Sequence, residues 1–115
     1  MNIKDIQEWE KDFSRRKGIS NDYDKSLNIA TLKLGEETGE VFKAILEKEW
    51  EDVLIECCDV LVFVCKIANI MEKFHNTKTF EQVISEKLNY CESRTYNTET
   101  NKMDKPEEKR KKQLH

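Results

Sequence analysis

Lys33-Leu-Gly-Glu-Glu-Thr-Gly-Glu-Val41 and Ile55-Glu-Cys-Cys-Asp-Val-Leu-Val-Phe63 are the two stretches that decide the fold. Each contains a pair of carboxylates three positions apart, which places each pair on one face of a helix. The pairs are Glu37 with Glu40 and Glu56 with Asp59. Apolar residues around them recur at the spacing of a helical core, and Glu37 and Glu56 fall within those series. The sequence therefore predicts two helices that turn acidic side chains toward a core.

Carboxylates without partners are too costly to keep ionised in a core, so they must take up protons, pair with bases or hold a hard cation. In these two segments only Lys33 and Lys66 are basic residues with a matching core phase. A divalent cation with oxygen ligands, Mg²⁺ or Mn²⁺, is the simplest solution. The alternative is an acidic face that is merely solvated.

The composition favours a single all-α domain. The chain has 115 residues, of which 37% are charged and 37% hydrophobic, with three Gly and one Pro. Periodicity and capping signals predict four helices. These run over about 2–17, 27–48 (with Ser26 as N-cap), 50–72 and from a capping box at 79–82 onward. We expect the helical domain to span residues 1–96, followed by a charged, flexible tail over 97–115.

Charge and hydropathy exclude several classes of protein. A net charge of −3 makes nucleic acid an unlikely partner. The polar N-terminus lacks the pattern of a signal peptide, and acidic residues interrupt the most apolar stretch, so we expect a cytoplasmic protein without a membrane span. The four cysteines match no zinc-ligand spacing. The third helix is apolar nearly all round, which predicts that a second subunit covers part of it.

The acidic pairs also indicate a chemistry. In an antiparallel helical hairpin, the two pairs form one pocket that holds one or two Mg²⁺ and leaves coordination positions for substrate phosphates. Metal-assisted hydrolysis at phosphorus follows from such a site. A di-iron carboxylate bundle is disfavoured because it needs Glu-x-x-His on two helices, which neither His75 nor His115 supplies.

The paired motif resembles the Glu-x-x-Glu … Glu-x-x-Asp signature of the MazG-like, all-α nucleotide pyrophosphohydrolases. The likeness covers roughly residues 6–96. It implies a four-helix bundle that associates into homodimers or homotetramers. It also implies the reaction of a nucleoside triphosphate, or its deoxy form, with water to give the monophosphate and pyrophosphate, as housekeeping of the nucleotide pool.

The resemblance implies roles for individual residues. Mg²⁺, or Mn²⁺, would be held by Glu37, Glu40, Glu56 and Asp59. The catalytic candidates are Glu36, Glu37 and Glu40, with Glu36 orienting the attacking water or serving a second metal. The substrate-binding candidates are Trp50, which would stack on the base, and Lys87 and Arg94, which would contact phosphates.

The fourth helix departs from the pattern of many relatives. Where they carry a more basic run, this chain has Tyr90, Cys91 and Glu92. The alternative function is therefore a non-catalytic helical module that binds metal or nucleotide, or that pairs with another protein.

Overall fold

Four helices and one short hairpin make up the part of the chain that the structure, a computed structural model, describes, which is residues 1–104. In chain order these are α1 (Ile3–Arg16), α2 (Tyr23–Leu46), α3 (Trp50–His75), α4 (Phe80–Glu92), β1 (Thr95–Asn97) and β2 (Lys102–Asp104). The predicted all-α class with four helices is confirmed. Among residues 1–104, no helix is long and apolar enough to cross a membrane.

The chain divides into two units, Met1–Phe80 and Glu81–His115. In the first unit, α3 is the central element, because α1 and α2 both pack against it. Small side chains let α2 approach α3 closely: Ala30 is fully buried and Ala44 is nearly so. Both neighbours run antiparallel to α3.

Backbone hydrogen bonds around Gly18 end α1 at the start of the connection to α2. Gly18 has a φ of 68°, which glycine adopts without steric cost. Its N–H bonds the Arg15 carbonyl at 3.3 Å, and the Ile19 N–H bonds the Ser14 carbonyl at 2.9 Å, which is the Schellman pattern. The predicted end of the first helix at about residue 17 is thus confirmed.

The predicted start of the second helix is wrong. Asp22, not Ser26, is the N-cap: its side chain accepts a hydrogen bond from the Lys25 N–H at 3.0 Å. Ser26 lies one turn inside the helix, buried, and its hydroxyl donates to the Asp22 carbonyl at 2.6 Å. A serine can cap a helix or bond back to the preceding turn, and the sequence alone does not distinguish these two uses.

The predicted turn between the second and third helices is confirmed, although no Gly or Pro marks it. Lys48 adopts a left-handed φ of 59°. The Glu49 N–H then bonds the Ala44 carbonyl at 3.0 Å, so the connection is a Schellman turn with lysine in the usual glycine position. This three-residue connection brings α3 back along α2.

The second unit contains most of α4 and the antiparallel hairpin, in which Tyr96 lies opposite Met103. The hairpin was not predicted, and it crosses the expected boundary at residue 96. Arg94 ties it together by donating to the Met103 and Asp104 carbonyls at 2.8 and 3.2 Å. The rest of the predicted tail, residues 105–115, lies outside the described residues, and the boundary at 96 stays a prediction.

The corrected helix start yields a stability prediction. Replacing Asp22 by Ala removes the N-cap acceptor and should lower the free energy of unfolding by about 1 kcal/mol, measured by urea denaturation. Asp24→Ala is the control, because Asp24 also places a carboxylate in the first turn of α2 but is not its N-cap. Equal losses in the two variants would show that the helix dipole, rather than the cap bond, carries the effect.

Candidate metal centre

Three carboxylates meet where α2 packs on α3. One oxygen from each of Glu37, Glu56 and Asp59 lies within 4.8 Å of the other two, and all three side chains are half-buried. Glu37 comes from α2, whereas Glu56 and Asp59 come from one turn of α3. The structure thus brings together three of the four predicted metal ligands.

The surroundings of Glu56 in the cluster change the pKa of its carboxyl group. Loss of hydration raises the pKa of the Glu56 carboxyl above its ordinary value of 4.5, and the negative charges of Asp59, Glu37 and Glu40 raise this pKa further. A group of like charges favours either a proton or a cation. The donor set of carboxylate oxygens is the one that hard divalent cations prefer.

Glu40 and Glu36 lie at the margin of this cluster. Glu40 is exposed, and its charge acts on Glu56, although Glu40 does not belong to the group of three. Glu36 is exposed too and pairs with Lys33 at 3.3 Å, on the surface of α2. Their predicted catalytic roles, and the fourth ligand position of Glu40, stay predictions.

The two glycines of α2 beside the cluster face open space. Outside the neighbouring residues and backbone of its own helix, a Cβ atom placed on Gly35 or Gly39 would meet no described atom within 4 Å. Tight packing of helices within the described chain therefore does not require either glycine. What remains is a surface on which a ligand or another chain can approach the helix backbone.

The three predicted substrate contacts lie in different parts of the chain. Trp50 begins α3 and is 62% exposed, so its indole is accessible for stacking. In the second unit, the Lys87 ammonium lies 4.8 Å from the centre of the Tyr90 ring. Arg94 is engaged with the hairpin carbonyls and lies 5.6 Å from the same ring. The three roles stay predictions.

A second polar cluster, which was not predicted from the sequence, lies between α1 and α3. Lys66 donates to Glu10 at 3.2 Å, and Asn69 donates to Glu10 at 2.8 Å. Gln7 donates to Asn69 at 2.9 Å and to Glu72 at 2.7 Å. One signal could have revealed it: Lys66 and Asn69 are polar residues three positions apart in an otherwise apolar stretch.

The acidic cluster predicts a specific dependence on pH and metal. In the metal-free protein, a raised folded-state pKa means that the folded state holds the Glu56 proton more tightly than the unfolded state does. Stability should therefore fall as the pH rises from 4.5 through the folded-state pKa, and the full destabilisation should persist above it. Glu56→Gln should make the metal-free protein more stable at pH 7 and abolish this pH dependence. Thermal unfolding without metal and with Mg²⁺ or Mn²⁺ measures both effects.

The same titration separates a metal site from a solvated acidic face. Added Mg²⁺ should raise the melting temperature of the wild type, because an ion that binds only the folded state stabilises it. Glu56→Gln should lose that response. Glu51→Gln, which removes an exposed carboxylate from the first turn of the same helix, should keep it. If Mg²⁺ does not raise the melting temperature of the wild type, the interpretation that remains is a solvated acidic face without a metal site.

Comparison with known proteins places the chain in a family. Searches of curated proteins and of solved structures gave no match. The family model described as the MazG nucleotide pyrophosphohydrolase domain matches residues 26–98. That range holds all three clustered carboxylates, and it leaves α1 outside. The chain therefore belongs to the MazG nucleotide pyrophosphohydrolase domain family.

Proposed function

We propose that this protein is a divalent-metal-dependent nucleoside triphosphate pyrophosphohydrolase that uses Mg²⁺ and acts in the cytoplasm on the nucleotide pool. The observation that carries the proposal is the meeting of Glu37, Glu56 and Asp59 within 4.8 Å inside the part of the chain that matches the family. The substrate is a ribonucleoside or deoxyribonucleoside triphosphate, and the products are the monophosphate and pyrophosphate.

Each carboxylate has a part in this proposal. Glu37, Glu56 and Asp59, joined by the exposed Glu40, would hold Mg²⁺, which supplies a Lewis acid that neutralises phosphate charge. Clustered negative charge would otherwise repel the substrate, so the carboxylates bind phosphate only through the cation. The half-buried positions of Glu37, Glu56 and Asp59 would limit the water around the reacting phosphorus.

The reaction needs a water oriented toward the α-phosphorus. Glu36 and Glu40, exposed on α2 beside the cluster, are the proposed groups that orient this water and accept its proton. The water oxygen bonds to the α-phosphorus as the bond from that phosphorus to the bridging oxygen breaks. The electron pair leaves with pyrophosphate. Lys87, Arg94 and Trp50 are proposed to contact phosphates and base.

Pyrophosphate release tests the proposal directly. With Mg²⁺, the wild type should release pyrophosphate from at least one member of a panel of canonical and modified nucleoside triphosphates, and EDTA should abolish release. Asp59→Asn and Glu40→Gln should each lower kcat/KM by roughly 100-fold, as expected when one preorganised charge is removed. Glu51→Gln, the matched control on α3, should retain the wild-type rate.

Two results would contradict the proposal that this protein is an enzyme. Nucleotide-dependent thermal stabilisation without pyrophosphate release would favour the alternative, a module that binds metal and nucleotide without turnover. If folded protein shows neither thermal stabilisation by nucleotide nor pyrophosphate release, the remaining function is that of a helical module that pairs with another protein.

We also propose that the chain acts as a homodimer or homotetramer. The support is an apolar surface on the first half of α3: Leu54 is 74% exposed and Ile55 is 57% exposed. Large apolar side chains grouped on one surface commonly mark an interface. Farther along α3, Cys58 is exposed whereas Cys65 is fully buried, so the exposed surface does not extend over the whole helix.

Light scattering during gel filtration measures the assembly. The wild type should have two or four times the chain mass of 13.7 kDa. Leu54→Glu should shift it toward the monomer, because a charge in an apolar interface is costly. Leu88→Glu, at an exposed position on α4, is the control. A wild type at the monomer mass would contradict the proposal.

A further inference from the structure

Lys33 is a basic residue that shares one side of α2 with three carboxylates. It precedes Glu36 by three residues, Glu37 by four and Glu40 by seven. Residues at these spacings lie on the same side of a helix, one above the other. The ammonium group of Lys33 is thus positioned beside the acidic groups to which the proposed function assigns the metal and the attacking water.

This side of α2 lies at the border between the helix interface and solvent. Ala30, Glu37 and Ala44 recur every seven residues, and their burial marks the line along which α2 packs on α3. Lys33 and Glu40 are also seven residues apart, on a neighbouring line, and both are exposed. A ligand that approaches the acidic cluster from solvent can therefore reach the Lys33 side chain.

In the structure, the Lys33 ammonium pairs with Glu36. Its Nζ atom lies 3.3 Å from Oε2 of Glu36, and the two side chains are 46% and 59% exposed. Among residues 1–104, this is the one ion pair that any carboxylate of the proposed site forms. Those carboxylates are Glu36, Glu37, Glu40, Glu56 and Asp59. Exposed pairs contribute little to stability, because both partners are hydrated when apart, so this pair is easily exchanged for a stronger one.

The proposed substrate brings more negative charge to a site that is already negative. The charges of Asp59, Glu37 and Glu40 raise the pKa of Glu56 even without a substrate. One divalent cation cancels only part of the combined charge of these carboxylates and a triphosphate. An ammonium group attracts phosphate oxygens through charge-assisted hydrogen bonds. Lys33 has three N–H donors and one described ion-pair partner, so it is able to bind a phosphate oxygen.

The ion pair also restricts what Glu36 can do. Glu36 is one of the two groups proposed to orient the attacking water and to accept its proton. The Oε2 atom that lies against Lys33 is not open to a water molecule. Lys33 holds this carboxylate from a position about 4.5 Å nearer the start of the helix. Once Lys33 leaves, both oxygens of Glu36 can accept hydrogen bonds.

We propose that Lys33 exchanges partners when the substrate binds: its ammonium group leaves Glu36 and contacts an oxygen of the triphosphate, and Glu36 is released to orient the attacking water. This inference rests on the proposed function. It adds Lys33 to the phosphate contacts, and it makes the availability of Glu36 depend on the presence of substrate.

Binding of inert nucleotides tests the phosphate contact. The probes are the α,β-imido analogues of the four common ribonucleoside and deoxyribonucleoside triphosphates, titrated calorimetrically with Mg²⁺ into the full chain. Lys33→Met removes the charge and should weaken binding of the best analogue by about tenfold, as expected for a lost hydrogen bond between charged groups. Lys33→Arg, which keeps the charge, should bind like the wild type. Lys43→Met is the control, because it removes another exposed lysine of α2 that pairs with no carboxylate of the described site, and it should also bind like the wild type.

A double-mutant cycle tests the exchange. Glu36→Gln removes the partner that Lys33 must leave, so it should tighten analogue binding by about threefold, as expected for an exposed ion pair. The same variant should lower kcat for the triphosphate, because Glu36 no longer accepts the proton of water. In the Lys33→Met background, Glu36→Gln should tighten binding less, because no lysine is left to release. A purely structural lysine would not couple to Glu36 in this way.

The results distinguish failure of the exchange from failure of the proposed function. If the wild type binds no analogue with Mg²⁺ and releases no pyrophosphate, the proposed function fails and the inference fails with it. If Lys33→Met binds the analogue as tightly as the wild type does, the nucleotide function stands and the inference is overturned. Equal weakening in Lys33→Met and Lys43→Met, or equal effects of Glu36→Gln in both backgrounds, would overturn it too, because net charge alone would then explain the binding.

Discussion

Repulsion among Glu37, Glu56 and Asp59 is the constraint on which the site depends, because the packing of α2 on α3 must hold these three carboxylates together against it. Two features provide that packing. Ala30 and Ala44 are small enough for the helices to approach closely. The short turn at Lys48 returns the chain so that the acidic turn of α3 faces α2. A cation that joins the three groups turns their repulsion into binding energy.

The two polar clusters of the first unit differ in how they balance their charges. The acidic cluster contains only negative groups, half-buried, and is balanced only by a proton or an added ion. In the cluster between α1 and α3 each charged group has a partner within the protein, because Glu10 pairs with Lys66 and Glu72 accepts a hydrogen bond from Gln7. The acidic cluster is therefore suited to binding a cation, whereas the bonds of the second cluster hold α1 against α3.

Much of the fold and of the acidic site could be predicted from the sequence, for identifiable reasons. Carboxylate pairs at helical spacing within apolar series reveal their own orientation, so the Glu37 and Glu56 positions were predictable. The start of α2 could not be predicted from the sequence, because Asp22 and Ser26 are both residues that favour the N-cap position. The burial of Ser26 in the folded protein decides between them. The turn at Lys48 carried no glycine signal, and its prediction rested on helix length alone.

The α1–α3 cluster shows a different limit. The apolar residues of α1 recur at helical spacing (Ile3, Ile6, Trp9 and Phe13), which predicts that they face the core. In the structure, however, Gln7 and Glu10 are buried while Trp9 is 46% exposed. A buried polar residue needs a hydrogen-bonding partner, so its burial can be predicted only when that partner is identified. The partners here lie more than fifty positions away in the sequence. Periodicity within one helix holds no information about such a match.

Residues with positive φ bracket α3, Lys48 just before it and Asn76 just after it. The helix between them fixes both the spacing and the angular register of the acidic cluster and the α1–α3 polar cluster, because both have residues on it. Substitutions along its length preserve this register, whereas a single residue inserted or deleted between Asp59 and Lys66 would rotate one cluster relative to the other by about 100°. The length of this segment should therefore stay constant among members of the family, even where its exposed side chains differ.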